Sequence, residues 1–153
     1  MSKIAIGKKA PAFSLDGTGG KWSLKDAAGA VVLYFYPRDN TSGCTQEGVD
    51  FAGLQAQFKK AKALILGVSP DSVASHEKFK QKMSFPFDLL SDPDHQVCEL
   101  FAVYKEKSMY GRKYMGVERS TFLIDAGGVV RQEWRKVKVK GHAEAVLAAV
   151  KSL

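Results

Sequence analysis

The run Val31-Val32-Leu33-Tyr34-Phe35-Tyr36, stopped by Pro37, constrains this chain more than any other stretch. Six consecutive β-formers without polar alternation fit a strand covered on both faces. Ala63–Val68 has the same character. Such strands need helices on each side of their sheet, because neither face can be left to water. Between the two runs, Phe51, Leu54 and Phe58 recur at helical spacing. Lys59, Lys60 and Lys62 follow, where cations complement a helix C-terminus. The spacing predicts one helix from near Ser42–Cys44 onward. Ser69-Pro70-Asp71-Ser72 opens another helix to about Lys82, with Ser72 as its cap.

The remaining elements follow from local signals. Gly17, Gly19 and Gly20 mark a hairpin turn between short strands near Phe13–Leu15 and Lys21–Ser23. Phe87–Leu90 reads as a strand. Asp92-Pro93 reads as a helix start running to about Phe101, with Pro at the first helical position. Lys105–Gly116 reads as a polar loop. Ser120–Ile124 and Val129–Trp134 flank the turn Asp125-Ala126-Gly127-Gly128, and Ala143–Leu153 is a terminal amphipathic helix. Strands and helices that alternate early and end in an antiparallel pair imply an α/β fold with a central mixed sheet and flanking helices. With its N-terminal β-hairpin, this order resembles a thioredoxin-like domain. At 153 residues, with no linker or repeat, the chain is expected to form a single domain over 1–153.

Composition removes several function classes. With 45% hydrophobic and 25% charged residues the chain reads as an ordinary soluble globular protein. No apolar run approaches the roughly 20 residues of a membrane span. The opening MSKIAIGKKAPAF is too short in its apolar part for an export signal, so a cytoplasmic protein is expected. Two cysteines, Cys44 and Cys98, are too few for a disulfide scaffold and form no C-x-x-C pair. His76, His95 and His142 are scattered, without zinc-site spacing. The net charge of +7 comes mostly from residues 105–140, with ten basic and four acidic residues. No nucleic-acid motif accompanies it, so it reads as a solvated basic face.

The chemistry concentrates in Tyr36-Pro37-Arg38-Asp39-Asn40-Thr41-Ser42-Gly43-Cys44-Thr45-Gln46-Glu47. The segment leaves the carboxyl end of the central strand, where open α/β sheets place their sites. A cysteine in the first turn of a helix meets unpaired N–H groups and the positive end of the macrodipole. Both favour the thiolate, which is the nucleophile. Thr41, three residues earlier, can bring its hydroxyl to the sulfur, and Pro37 can shield it from solvent.

Pro37, Thr41 and Cys44 match the P-x-x-x-[T/S]-x-x-C signature of the peroxiredoxins. The longer string Phe35-Tyr36-Pro37 … Thr41-Ser42-Gly43-Cys44-Thr45-Gln46-Glu47 resembles the Q-type, or bacterioferritin-comigratory-protein, subfamily. Gly7–Phe13, Leu66–Asp71, Phe85–Asp92 and Glu118–Asp125 agree in the right order along essentially the whole chain. The resemblance implies a thioredoxin-dependent peroxidase that reduces hydrogen peroxide and organic hydroperoxides, in cell redox homeostasis and antioxidant defence. Cys44 would become a sulfenic acid and be reduced by an external thiol such as thioredoxin, glutaredoxin or glutathione. It also implies a role for Arg119, just before the Thr-Phe-Leu-Ile-Asp strand, in favouring the thiolate and holding peroxide oxygens. Thr41, Arg119 and the N–H groups near Gly43 and Cys44 would stabilise the leaving oxygen. Glu47 either orients an arginine or simply complements the helix dipole. No metal, haem or flavin is required. The chain lacks the C-terminal extension of the large decameric members, which implies a monomer or weak homodimer.

The sequence departs from the subfamily at its resolving cysteine. Val49 stands five residues after Cys44, and no cysteine lies near Lys80 on the next helix. Ser42 occupies a usual proline position. Cys98 is the only other thiol, either an inert buried residue or a resolving partner. Other chemistries fit less well. A phosphatase C-x5-R loop would need Arg where Asp50 stands, and no histidine is marked by context as a protease partner.

Overall fold

The computed structural model describes residues 4–153. Of the single domain expected over 1–153, residues 1–3 lie outside the described residues. The hairpin strands are β1 (Ser14–Gly17) and β2 (Gly20–Ser23), followed by a 3-10 turn over Leu24–Asp26. Then come β3 (Ala30–Phe35), α1 (Ser42–Gly53), α2 (Gln55–Lys60), β4 (Ala63–Ser69) and α3 (Val73–Met83). The second half holds β5 (Asp88–Ser91), α4 (Gln96–Leu100), β6 (Tyr104–Met109) and β7 (Arg112–Val117). It closes with β8 (Ser120–Ile124), β9 (Val130–Trp134) and α5 (His142–Lys151).

Seven strands form one sheet in the order β2-β1-β5-β4-β3-β8-β9. β3, β4 and β5 are parallel, and the outer pairings are antiparallel. This is the mixed sheet with flanking helices and an opening hairpin that the sequence predicts. Every residue of β3 is buried, as the unbroken apolar run requires. Its alternate side chains feed two cores. Val32, Tyr34 and Tyr36 join Cys44, Phe51, Phe79, Leu89 and the α5 residues Val146 and Val150 on one face. Val31, Leu33 and Phe35 join Val97, Cys98, Phe101 and Phe122 on the other.

Three expectations need correction. Lys105–Gly116 is not a loop but most of a separate two-stranded hairpin, β6–β7. Its two-residue turn is Tyr110-Gly111, both at positive φ (53° and 77°), the geometry that matches strand twist in tight hairpins. The single helix expected after Ser42 is broken at Leu54 into α1 and α2, directly after Gly53, a weak helix former. The helix expected at Asp92-Pro93 begins only at Gln96. Asp92 still caps it, its carboxylate accepting from the N–H groups of Val97 (3.3 Å) and Cys98 (2.8 Å). Among the described residues no helix is long and apolar enough to cross a membrane.

Candidate active site

Strand pairing builds the site. β8 runs antiparallel to β3 with Ser120 opposite Phe35, so Arg119 enters the sheet beside the end of β3. There the chain leaves Phe35 through Tyr36 and the half-buried Pro37 and turns into α1. Thr41 is the N-cap of that helix, and its first intrahelical bond runs from the Thr45 N–H to the Thr41 carbonyl at 2.9 Å. The N–H groups of Ser42, Gly43 and Cys44 therefore have no partner within the helix. Cys44 sits in this first turn, 2% exposed.

Arg119 bridges the sulfur and a carboxylate. Its Nη2 donates to Cys44 Sγ at 3.2 Å and its Nη1 donates to Glu47 Oε1 at 2.7 Å. Gly43 makes room for it, since a Cβ there would lie 3.2 Å from Nη2. Burial works against the guanidinium charge, but Glu47 and Cys44 together outweigh it and raise the Arg119 pKa. Glu47 is 1% exposed, and its Oε2 is buried without a hydrogen-bond partner. Burial pushes its carboxyl up to about 7, against the pull of Arg119. His142 lies behind the site, with Nε2 2.8 Å from Thr121 Oγ1 and its ring edge-on to Phe51 and Trp134. Burial, and then the Arg119 charge, lower its pKa to about 4.

The site residues read from the sequence thus fall into two groups. Arg119 is hydrogen-bonded to both Cys44 and Glu47, which brings these three residues together. Thr41 is exposed at the helix entrance, and its hydroxyl donates to the Arg38 carbonyl at 3.1 Å. Cys98 stands apart, fully buried in the core on the other face of the sheet. Burial, reinforced by the Asp92 charge, pushes its thiol well up. Val49 is exposed on α1, and Lys80 on α3 is paired with Asp88 at 2.7 Å. The sequence reading missed a polar cluster of the buried Tyr36, Asp39 and His76 and the half-buried Asp71 beside the loop. Its one visible signal was Asp39 lying inside the motif itself.

The AhpC/TSA family model matches residues 6–133. The chain belongs to the AhpC/TSA family of peroxiredoxins. It is 56% identical over 141 residues to Peroxiredoxin Bcp of Xanthomonas campestris, covering 92% of this chain and 88% of that one. It is 49% identical over 152 residues to Peroxiredoxin Bcp of Bacillus subtilis, covering 98% and 97%. A solved Peroxiredoxin Q from Xanthomonas campestris matches with TM-score 0.87 at 54% identity, over 92% of this chain and 90% of that one. A cysteine mutant of Xylella fastidiosa PrxQ matches with TM-score 0.92 at 44% identity, over 99% and 98%. The thioredoxin-like fold and the Bcp, or Q-type, assignment of this peroxiredoxin follow, and with them a thiol peroxidase that works through a peroxidatic cysteine.

Proposed function

We propose that Cys44 is the peroxidatic cysteine and that the protein is a 1-Cys peroxidase recycled by an outside thiol. The contact between Arg119 Nη2 and Cys44 Sγ at a helix N-terminus carries this reading. The thiolate attacks one peroxide oxygen, forming an S–O bond as the O–O bond breaks. Sulfur is oxidised to the sulfenic acid, and the other oxygen leaves as alkoxide or hydroxide and takes up a proton. Arg119 and the free N–H groups of Gly43 and Cys44 face the developing charge, with Thr41 at the entrance and Pro37 in the loop that leads to it. Glu47 holds the guanidinium in place.

An external thiol then displaces water from the sulfenic acid, giving a mixed disulfide, and a second thiol releases Cys44 and leaves as the reductant disulfide. Thioredoxin, glutaredoxin and glutathione all supply that chemistry. A solved structure of the similar Xanthomonas campestris bacterioferritin comigratory protein is described in terms of its alkyl peroxide reduction activity. Hydrogen peroxide and organic hydroperoxides are accordingly the substrates proposed here. A cytoplasmic monomer or weak homodimer, without nucleic-acid or membrane partners, completes the reading. Support for the 1-Cys scheme comes from the burial of Cys98 on the opposite face of the sheet from Cys44.

Intact mass after one equivalent of peroxide tests it. Wild type and Cys98→Ser are both expected to gain one oxygen, and Cys44→Ser none. Loss of two hydrogens in wild type that disappears in Cys98→Ser would make Cys98 the resolving thiol instead. An unchanged wild-type mass would remove the assignment of Cys44.

A further inference from the structure

The loop that carries Pro37 and Thr41 is gripped by a buried polar cluster on its far side from Arg119. Asp39 is 6% exposed and His76 is 0% exposed. Asp39 Oδ1 accepts from the Tyr36 hydroxyl at 2.6 Å, and Oδ2 accepts from the Ser75 hydroxyl at 2.8 Å. His76 Nδ1 lies 2.8 Å from the same Oδ2, and its Nε2 lies 2.9 Å from the Leu90 carbonyl oxygen. A carbonyl only accepts, so Nε2 donates to Leu90, and Nδ1 shares the second hydrogen bond with the Asp39 carboxyl group. The two side chains form a buried hydrogen-bonded contact. The Asp39 N–H also donates to Asp71 Oδ2 at 2.7 Å, an oxygen shared with the Ser69 hydroxyl at 2.6 Å. Asp39, Asp71 and His76 bring ligand-type atoms within 4.8 Å of one another, but these atoms are already satisfied by protein hydrogen bonds.

A buried polar contact contributes little net stability, because desolvation offsets the attraction, while loss of one partner is costly. Such a pair matters more for where it holds the chain. Here it joins the ends of β4 and β5 and the first turn of α3 to the loop between β3 and α1. Arg38, next to Asp39, supplies the carbonyl that receives the Thr41 hydroxyl. We propose that Asp39 and His76 are positioning residues whose contact fixes the Pro37–Thr41 loop, so that Cys44 meets Arg119 and the incoming peroxide in reactive geometry. This rests on the peroxidase reading above.

The test compares Asp39→Ala, Asp39→Asn and Ser75→Ala with wild type. Two readouts are taken on protein shown to be folded by circular dichroism. These are the second-order rate of Cys44 oxidation by hydrogen peroxide and the pH midpoint of the ultraviolet thiolate absorbance. Asp39→Ala releases the loop and should slow oxidation about tenfold or more, as small misplacements of reacting groups do. Its thiolate midpoint should also rise. Asn keeps the size of Asp39, accepts from Tyr36 and turns its amide toward His76 Nδ1, so it retains the grip without the carboxylate. It should recover to within about threefold of wild type, on the premise that position and not charge is what Asp39 supplies. Ser75→Ala removes one bond from a half-buried position and should fall between.

Wild-type rates and midpoints in folded Asp39→Ala would overturn the proposal. An Asn variant as slow as Ala would overturn it too, by assigning the effect to charge. If Asp39→Ala fails to fold, a wild-type rate in Ser75→Ala overturns it. A wild type that does not react with peroxide would bring down the peroxidase reading as well, which separates the two failures.

Discussion

Glu47 is the residue with the most to lose from its surroundings. One oxygen meets Arg119 at 2.7 Å and the other is buried without a partner. Its carboxyl moves from 4.5 to about 7 on folding, chiefly through burial. A raised folded value means that the native state holds a proton the unfolded chain has lost. Its contribution to stability is full below 4.5 and is lost as pH rises through 7. The slope is at most about 1.4 kcal/mol per pH unit. Glu47→Gln should flatten the dependence of urea midpoints across that window. His142 acts in the opposite sense. Its lowered value, about 4 against 6.5, gives stability that is present above 6.5 and lost as pH falls toward 4. His142→Gln should therefore hold its urea midpoint better on acidification than wild type does. Gly43 supports the site by having no side chain. Gly43→Ala crowds the Arg119 guanidinium, and peroxide-dependent oxidation of Cys44 should slow about tenfold with little change in Tm. Cys44 and Arg119 were legible in the sequence because a short motif and a strand border mark them. The Asp39–His76 contact was not, because it joins residues 37 apart with no periodic or compositional trace.

At the scale of elements, legibility followed burial. β3, β4 and β8 announce themselves because their residues face two cores. β6–β7 does not, because both its faces are largely exposed and its charges hide the alternation that marks a half-buried strand. Helix starts were legible where the cap is local. Ser72 accepts from the Ser75 N–H at 3.1 Å, as its position predicts, and Ser72→Ala should lower stability by about 1 kcal/mol in chemical denaturation. The α4 start was misplaced because its capping carboxylate belongs to Asp92, several residues upstream. α1 packs at Gly48 on the segment between α3 and β5, where a Cβ would collide with the Phe85 ring. Phe85 is itself stacked on Phe87 and edge-on to Phe79. Gly48→Ala should cost about 1–3 kcal/mol, measured as a fall in Tm.

For the whole molecule, the sheet divides two cores with different duties. The face carrying Cys44 also packs α1, α3 and α5, while the face carrying Cys98 packs α4 and the N-terminal segment. Cys98→Ala should cost about 1–2 kcal/mol through a small cavity and leave the rate of peroxide reaction at Cys44 unchanged. Cys98 sits under the sheet with its thiol pushed well up, and Cys44 sits above it under an arginine. The sheet thus works as an insulator between the two thiols of one chain. In the proposed 1-Cys scheme each oxidised molecule keeps its sulfenic acid until a thiol arrives from outside. In the proposed scheme the oxidised fraction of the population becomes a running balance of peroxide arrival against thiol supply, a readable record as well as a step in turnover.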